Sequence, residues 1–296
     1  MMMKEKTIYA LGFFDGVHLG HQALLSACRE LADSHGCKAG VVTFTTHPDG
    51  LVSGTVPGLI NTRQDRGRLL CGYGMEKLIE LPFDEKLMTT HWSVFLEQLV
   101  EKGAAGFVCG SDFRFGAGGS GTAQKLEDFC TARNLPYAIV PQQLLDGVRV
   151  SSTYIRQLLV EGKLKDANRF LGHPYTLSGQ VVAGKRLGRT IGVPTANLAF
   201  PEALVVPKLG VYATAAVVDG KRYCAVTNIG TRPTVSGEGV TVEAHLLDFE
   251  GDLYGKAVIL SFYQFLRPEE KFNSLDELKA EIEKNALQSR KILEKL

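Results

Sequence analysis

The segment Leu11-Gly12-Phe13-Phe14-Asp15-Gly16-Val17-His18-Leu19-Gly20-His21 decides how the first half of this chain is read. Before it, Thr7 to Leu11 is a short apolar run of the kind that forms a buried strand, and it breaks at Gly12 and Gly16. After it, Leu24, Cys28 and Leu31 recur at helical spacing, so a helix begins near Gly20. Two histidines three apart therefore stand where a strand becomes a helix. A helix N-terminus carries unpaired N–H groups and a partial positive charge, which suits it to phosphate. Imidazoles there add donors aimed at the same oxygens. Two isolated loop histidines would mean little. A strand, a glycine turn, His-x-Gly-His and a helix, in that order, predict a nucleotide phosphate site.

Working outward, residues 1–150 alternate apolar runs with amphipathic segments. Strand candidates are 7–12, 39–45, 76–81, 105–109 and 136–140, and helix candidates are 20–34, 62–72, 92–102 and 122–133. That alternation predicts a mainly parallel sheet covered on both faces. Two further helices, 151–161 and 163–171, lead to Gly172-His173-Pro174, a helix stop. Beyond it the rhythm changes. Strand-like runs at 175–184, 210–218, 222–230, 240–247 and 256–265 precede one long helical pattern, 274–294. Such a series predicts an antiparallel barrel or sandwich closed by a C-terminal helix. The expected domains are 1–172 and 173–296.

The length of 296 residues allows each domain its own core. With 45% hydrophobic and 22% charged residues, the chain reads as an ordinary soluble globular protein. A formal net charge of +1, spread evenly over both halves, excludes a basic polyelectrolyte built for nonspecific nucleic-acid binding. Cys28, Cys37, Cys71, Cys109, Cys130 and Cys224 form no C-x-x-C pair, and are read as reduced thiols rather than a disulfide framework or zinc site. Met-Met-Met-Lys-Glu-Lys is followed by too short an apolar run for a signal peptide, and no stretch is long enough to span a membrane. The expectation is a cytoplasmic protein without membrane or nucleic-acid partners. Nothing in the sequence predicts an oligomer.

Three more clusters follow in the first half. Val42-Thr43-Phe44-Thr45-Thr46-His47-Pro48 ends the second strand, and ligands of open parallel sheets bind beyond the carboxyl ends of the strands. His47 is thus expected on the same rim as His18 and His21. Gly110-Ser111-Asp112-Phe113-Arg114-Phe115-Gly116 follows a later strand, and residues 116–121 spell G-x-G-x-x-G. This is not a dinucleotide fingerprint, because six residues separate it from its strand. A mobile glycine loop over a phosphate or flavin fits better. In Ser151-Ser152-Thr153-Tyr154-Ile155-Arg156 the hydroxyls read as a helix N-cap, and together with Arg156 they would also grip a polyphosphate.

In the second half, Gly179 to Arg186 nearly spells a P-loop, but Arg186 replaces the magnesium-binding Ser/Thr and the context is a strand. Leu187 to Leu198 contains Gly188, Gly192, Pro194, Thr195 and Asn197, a compact loop able to offer hard oxygens to magnesium and ATP, or else an ordinary turn. Strand alternation puts Val242, Ala244 and Leu246 on one face and Thr241, Glu243 and His245 on the other. Glu243 is a general base if that second face lines a barrel mouth, and a surface carboxylate if it faces solvent.

Taken in order, G-F-F-D-G-V-H-L-G-H, T-F-x-x-H-P, D-F-R-F-G and V-S-S-T-x-I-R resemble the adenylyltransferase half of bacterial bifunctional riboflavin kinase/FAD synthetases. The blocks G-V-P-T-A-N-L, G-V-Y-A, N-I-G-T-R-P-T, V-E-A-H-L-L-D-F-x-x-D-L-Y-G and Phe265 to Phe272 are similar to their riboflavin kinase half. The resemblance implies a Rossmann-like nucleotidylyltransferase domain followed by an antiparallel β-barrel. It implies that Phe14, Asp15, Gly16, His18, His21, Ser151, Ser152, Thr153 and Arg156 bind ATP, with His18 and His21 catalytic. His47, Asp112, Phe113 and Arg114 would bind the flavin. In the barrel, Gly184, Lys185, Gly192, Thr195 and Asn197 would contact Mg-ATP, the last pair at the metal. There Glu243 would be the base and Arg267 a flavin contact. Phe113, Phe115, Tyr263 and Phe265 are candidates to stack on the isoalloxazine ring.

The expected function is phosphorylation of riboflavin to FMN, then adenylylation of FMN to FAD with release of pyrophosphate, using ATP and Mg²⁺. The chain departs from the family pattern at Thr46, where proline is usual, and at Ala117-Gly118-Gly119-Ser120, where a cation is frequent. Weaker phosphate binding would follow, with Arg114 as the candidate substitute. The alternatives are a kinase whose adenylyltransferase domain is impaired, or a flavin or nucleotide sensor without turnover.

Overall fold

The computed structural model describes residues 5–182, 194–234 and 237–295; Gly184, Lys185 and Gly192 lie outside them. The chain forms two compact units, Met1–Pro57 with Arg66–Ser152, and Gly58–Asp65 with Thr153–Leu296.

The first unit is built on β1 (Thr7–Leu11), β2 (Lys38–Phe44), β3 (Lys77–Leu81), β4 (Ala104–Gly110) and β5 (Tyr137–Val140), all parallel in the order β3-β2-β1-β4-β5. Every residue of β1 is buried, because alternate side chains enter two separate cores. Ile8 and Ala10 pack with Leu25, Cys28 and Val41, whereas Tyr9 and Leu11 pack with Phe95, Leu96, Phe107 and Leu126. The first core lies under α1 (Leu19–Ser34), the second under α5 (Trp92–Glu101) and α6 (Ala123–Ala132). Each large apolar side chain buried this way contributes roughly 1.5–3 kcal/mol. Shorter pieces, α2 (Asp49–Val52) and α4 (Glu85–Thr89), sit in the connections, and a longer helix, α3, spans Arg63–Gly72. The strand order reverses between β1 and β4. A crevice at the carboxyl ends of those two strands is where such a sheet takes its ligand.

The second unit begins with α7 (Ser152–Glu161) and α8 (Leu164–Leu171), the latter ended by Gly172 at φ 75°. A closed antiparallel barrel follows. Its strands are β8 (Tyr175–Val182), β9 (Ala196–Ala199), β10 (Gly210–Val218), β11 (Lys221–Thr234), β12 (Gly237–Leu246) and β13 (Ala257–Arg267), leaving the labels β6 and β7 to the small hairpin of Leu144–Leu145 and Val148–Arg149. Around the barrel the order is β10-β11-β12-β9-β8-β13, and β13 pairs back onto β10 to close it. Asn168 on α8 fastens the barrel, donating to the Phe262 carbonyl and accepting from the Tyr175 N–H, each at 2.8 Å. The C-terminal helix, Leu275–Leu293, packs on β10, β11 and β13, so β10 is covered on both faces.

The barrel decides between the two all-β arrangements that the strand pattern left open. The segment around Asn197 differs from expectation: it is a strand, not a loop or turn. All six cysteines are free, and burial pushes the thiols of Cys28 to about 11 and of Cys109 and Cys130 to about 12.

Candidate active sites

The His-x-Gly-His turn closes tightly between β1 and α1. Phe14 and Val17 have φ of 61° and 41°, and Gly16 lies between them at 83°. A β-branched residue with positive φ is strained, and such strain persists only where packing over-determines it. Phe14 and Val17 are fully buried, which supplies that packing. His18 is the N-cap of α1, its Nδ1 accepting from the His21 N–H at 3.3 Å. The two imidazoles stack, with centroids 3.7 Å apart and planes 12° from parallel. Gly20 allows this closeness, since a Cβ there would lie 3.2 Å from the His18 ring.

His21 Nδ1 is buried with no hydrogen-bond partner among the described residues. Burial, then His18, then the Arg66 guanidinium hold the His21 pKa well below the usual 6.5. At neutral pH the ring is therefore uncharged and carries a single N–H. An unfolded His21 takes up its proton near 6.5 and the folded one only at lower pH. Between those values the unfolded state binds more protons. The contribution to stability is thus complete above 6.5 and is lost as pH falls toward the folded value. We expect the melting temperature of the wild type to drop more steeply from pH 7 to pH 5 than that of His21→Leu. Equal slopes would show that His21 is not held neutral by the fold.

His47 lies where the strand-end argument placed it, on the β1/β2 rim. Its ring meets Phe13 edge-on at 4.6 Å, and its Nδ1 accepts from the Asp49 N–H at 3.2 Å. The other face of this cluster holds Arg66, which the sequence reading missed. Arg66 is 2% exposed, donates to the Phe44 carbonyl at 2.7 Å and stands 4.4 Å over the Phe13 ring. The buried guanidinium thus brings a fixed positive charge to this rim.

Past β4, the exposed Asp112 pairs with Arg149 and accepts from Gln142 at 3.2 Å. Phe113 is half-buried and stacks on Phe115 at 5.7 Å, while Arg114 is exposed. The glycine loop is closed by backbone bonds between Phe115 and Gly121 and tied down by Ala117 N–H to the Thr90 carbonyl at 2.7 Å. Gly116, at φ 71°, lies against Trp92, where a Cβ would come within 2.6 Å of the Trp92 backbone. At the far end of this unit, the Ser152 hydroxyl donates to the Asp15 carbonyl at 2.9 Å, joining the Ser151–Ser152 step to the histidine turn. Thr153 and Arg156 follow on α7, which belongs with the second unit.

On the barrel, Asn197, Glu243 and Asn228 stand directly opposite one another on β9, β12 and β11. Their neighbours Leu198, Val242, Ala244, Thr227 and Ile229 are buried, so the three polar side chains share the outer face. Asn228 also donates to Glu269 at 3.0 Å, and neither residue was foreseen. Only the register across three strands reveals this row. His245 Nδ1 lies 2.9 Å from the Pro194 carbonyl and so fixes the start of β9. Thr195 lines a small pocket with Phe249, Asp252 and Tyr254. Arg267 is mostly buried, 3.3 Å from Glu281 of the C-terminal helix and over Phe272.

Comparison with known proteins agrees with this division. An FAD synthetase family model matches residues 1–154, and a riboflavin kinase model matches 171–293. The chain belongs to the bifunctional riboflavin kinase/FMN adenylyltransferase family. Members from Listeria monocytogenes and Escherichia coli K12 are 34% and 36% identical, covering 98% and 97% of this chain and 93% of each relative. A solved structure titled a macrolide-efflux protein from Streptococcus pneumoniae superposes with a TM-score of 0.87 at 30% identity, covering 97% of this chain and 95% of that one. Among the described residues of this family member, no helix is long and apolar enough to cross a membrane.

Proposed function

We propose that this chain makes FAD in two steps in the cytoplasm, phosphorylating riboflavin with one ATP and adenylylating the resulting FMN with another. Residues 173–296 serve the first step and residues 1–172 the second. The observation that carries the reading is the presence, in one chain, of both family segments, each with a polar cluster suited to its reaction. No nucleic acid or membrane enters either step.

In the kinase step, Glu243 accepts the proton of the riboflavin 5′-hydroxyl as that oxygen bonds to the γ-phosphorus of ATP and ADP leaves. Asn197 and Asn228 flank Glu243 in register and orient its carboxylate. The Thr195 hydroxyl and Asn197 amide oxygen, near a carboxylate, are hard donors that fit magnesium, which prefers few protein oxygens plus phosphates. When bound, the ion neutralises charge on the ATP phosphates. Thr195 and its pocket partners Phe249 and Tyr254 receive the nucleotide, together with Gly184, Lys185 and Gly192. Arg267, held by Glu281, contacts the flavin.

In the adenylyltransferase step the nucleophile is the FMN phosphate, already ionised, so no base is needed. Catalysis is positioning and charge stabilisation. Phe14, Asp15 and Gly16 shape the turn. His18, His21 and the first turn of α1 steady the triphosphate as pyrophosphate leaves. Ser151, Ser152, Thr153 and Arg156 complete that grip, and His47, Asp112, Phe113 and Arg114 hold FMN.

The test is a time course with the full chain, riboflavin, ATP and Mg²⁺, resolving FMN from FAD. FMN is expected first and FAD after it. FMN without FAD, even when FMN is supplied, would mean an impaired first domain, and no turnover would mean a binding protein.

A further inference from the structure

The four residues that follow Gly116 carry no charge, yet a cation does reach this loop from the helix behind it. Lys125, in the first turn of α6, donates from Nζ to the Ser120 carbonyl at 2.8 Å. The same ammonium sits 5.4 Å over the ring of Trp92, whose backbone packs against Gly116. Lys125 thus spans the loop from its last turn to its anchor. It is half-buried, and among the described residues no carboxylate pairs with it.

Two physical points make this placement informative. First, a positive side chain in the first turn of a helix opposes the macrodipole, and the Thr122 cap of Lys125 N–H leaves that opposition in place. Such a residue is better accommodated once an anion is present. Second, the loop follows β4 and the His-x-Gly-His turn follows β1, and these strands flank the point where the sheet order reverses. Both features therefore lie at the carboxyl ends of the two strands that flank this point. An ammonium has three donors, and Ser120 takes one.

We propose that Lys125 is the phosphate-binding cation of the glycine loop, pairing with a phosphoryl oxygen of ATP or FMN during adenylylation. It does what a cation within the loop would do, from a helix rather than from residues 117–120. The inference rests on the adenylyltransferase reading of this unit.

The experiment compares wild type, Lys125→Met and Lys125→Arg as full chains. With FMN and ATP, Lys125→Met is expected to raise KM about ten- to a hundredfold, the size of one charge-assisted hydrogen bond, with kcat within about twofold. Lys125→Arg should restore most of the loss. A rise confined to the ATP titration assigns the contact to the nucleotide, and one confined to FMN assigns it to the flavin phosphate. Trp92 is the single tryptophan of the chain, so its emission reports on the ammonium directly. Pyrophosphate, which absorbs no light in that range, should change wild-type emission and leave that of Lys125→Met unchanged. Unaltered KM values, or a loss in kcat alone that arginine does not restore, would overturn the proposal while leaving the adenylyltransferase reading intact. If the wild type itself makes no FAD from FMN and ATP, the wider reading fails instead. A near wild-type kcat for FAD formation reports that the first unit of each variant is folded, and riboflavin phosphorylation by the same samples reports on the barrel.

Discussion

His21→Ala is expected to stop FAD formation while riboflavin phosphorylation proceeds at the wild-type rate. The neutral imidazole is a fixed donor at the mouth of α1, stacked on His18 at 3.7 Å and buried on its Nδ1 side. A fixed donor needs no reorganisation when charge builds on the leaving pyrophosphate. Loss of one such donor costs about 3 kcal/mol of barrier, or roughly a hundred- to a thousandfold in kcat. The stack with His18 adds to this, because His18 loses the ring that holds it. His21→Asn keeps a donor of similar reach and should recover part of the rate. The measurement is FAD production from supplied FMN, with FMN production from riboflavin in the same sample as the control. Loss of both activities would sink the assignment of two separate sites.

Glu243→Gln is expected to do the reverse, removing riboflavin phosphorylation and sparing FAD synthesis when FMN is supplied. The amide keeps the size and the place on β12 but cannot take the hydroxyl proton. A general base of this kind contributes about a hundred- to ten-thousandfold. Glu243→Ala should lose as much, and Glu243→Asp less, since it keeps a carboxylate at shorter reach. If Glu243→Gln slowed the kinase by less than about tenfold, Glu243 would be orienting substrate and some other group would take the proton.

The parallel sheet was legible because each of its strands is an apolar run cut off by Gly, Pro or a helix cap. In α1 the spacing of Leu24, Cys28 and Leu31 marked the buried side directly, and Leu24 and Cys28 are buried. The strand β9 was not legible. Its four residues lie between Pro194 and Pro201 and include Asn197, so nothing local marks it as extended. Pairing with β12 and β8 makes it a strand. Arg66 was hidden for a similar reason. In Arg63-Gln64-Asp65-Arg66 it reads as one more charge on a solvated helix face, whereas in the fold it is buried against the Phe44 carbonyl and the Phe13 ring. Asn228 and Glu269 came from contacts more than forty residues apart, which no periodicity contains. Lys125 escaped notice because attention to charge stopped at the loop and Arg114, whereas its bond to the Ser120 carbonyl comes from the helix that follows.

The row of Asn197, Glu243 and Asn228 has a consequence for how this barrel tolerates change. Along β12, Val242 and Ala244 fill the interior while Glu243 between them faces out. Inserting or deleting one residue in β12 would reverse every side chain that follows, driving a carboxylate into an apolar interior and exposing the aliphatic residues. Chemistry and packing are therefore read in the same odd-even frame. A shift of β12 past Glu243 would therefore disturb the packing of the barrel and the place of Glu243 together.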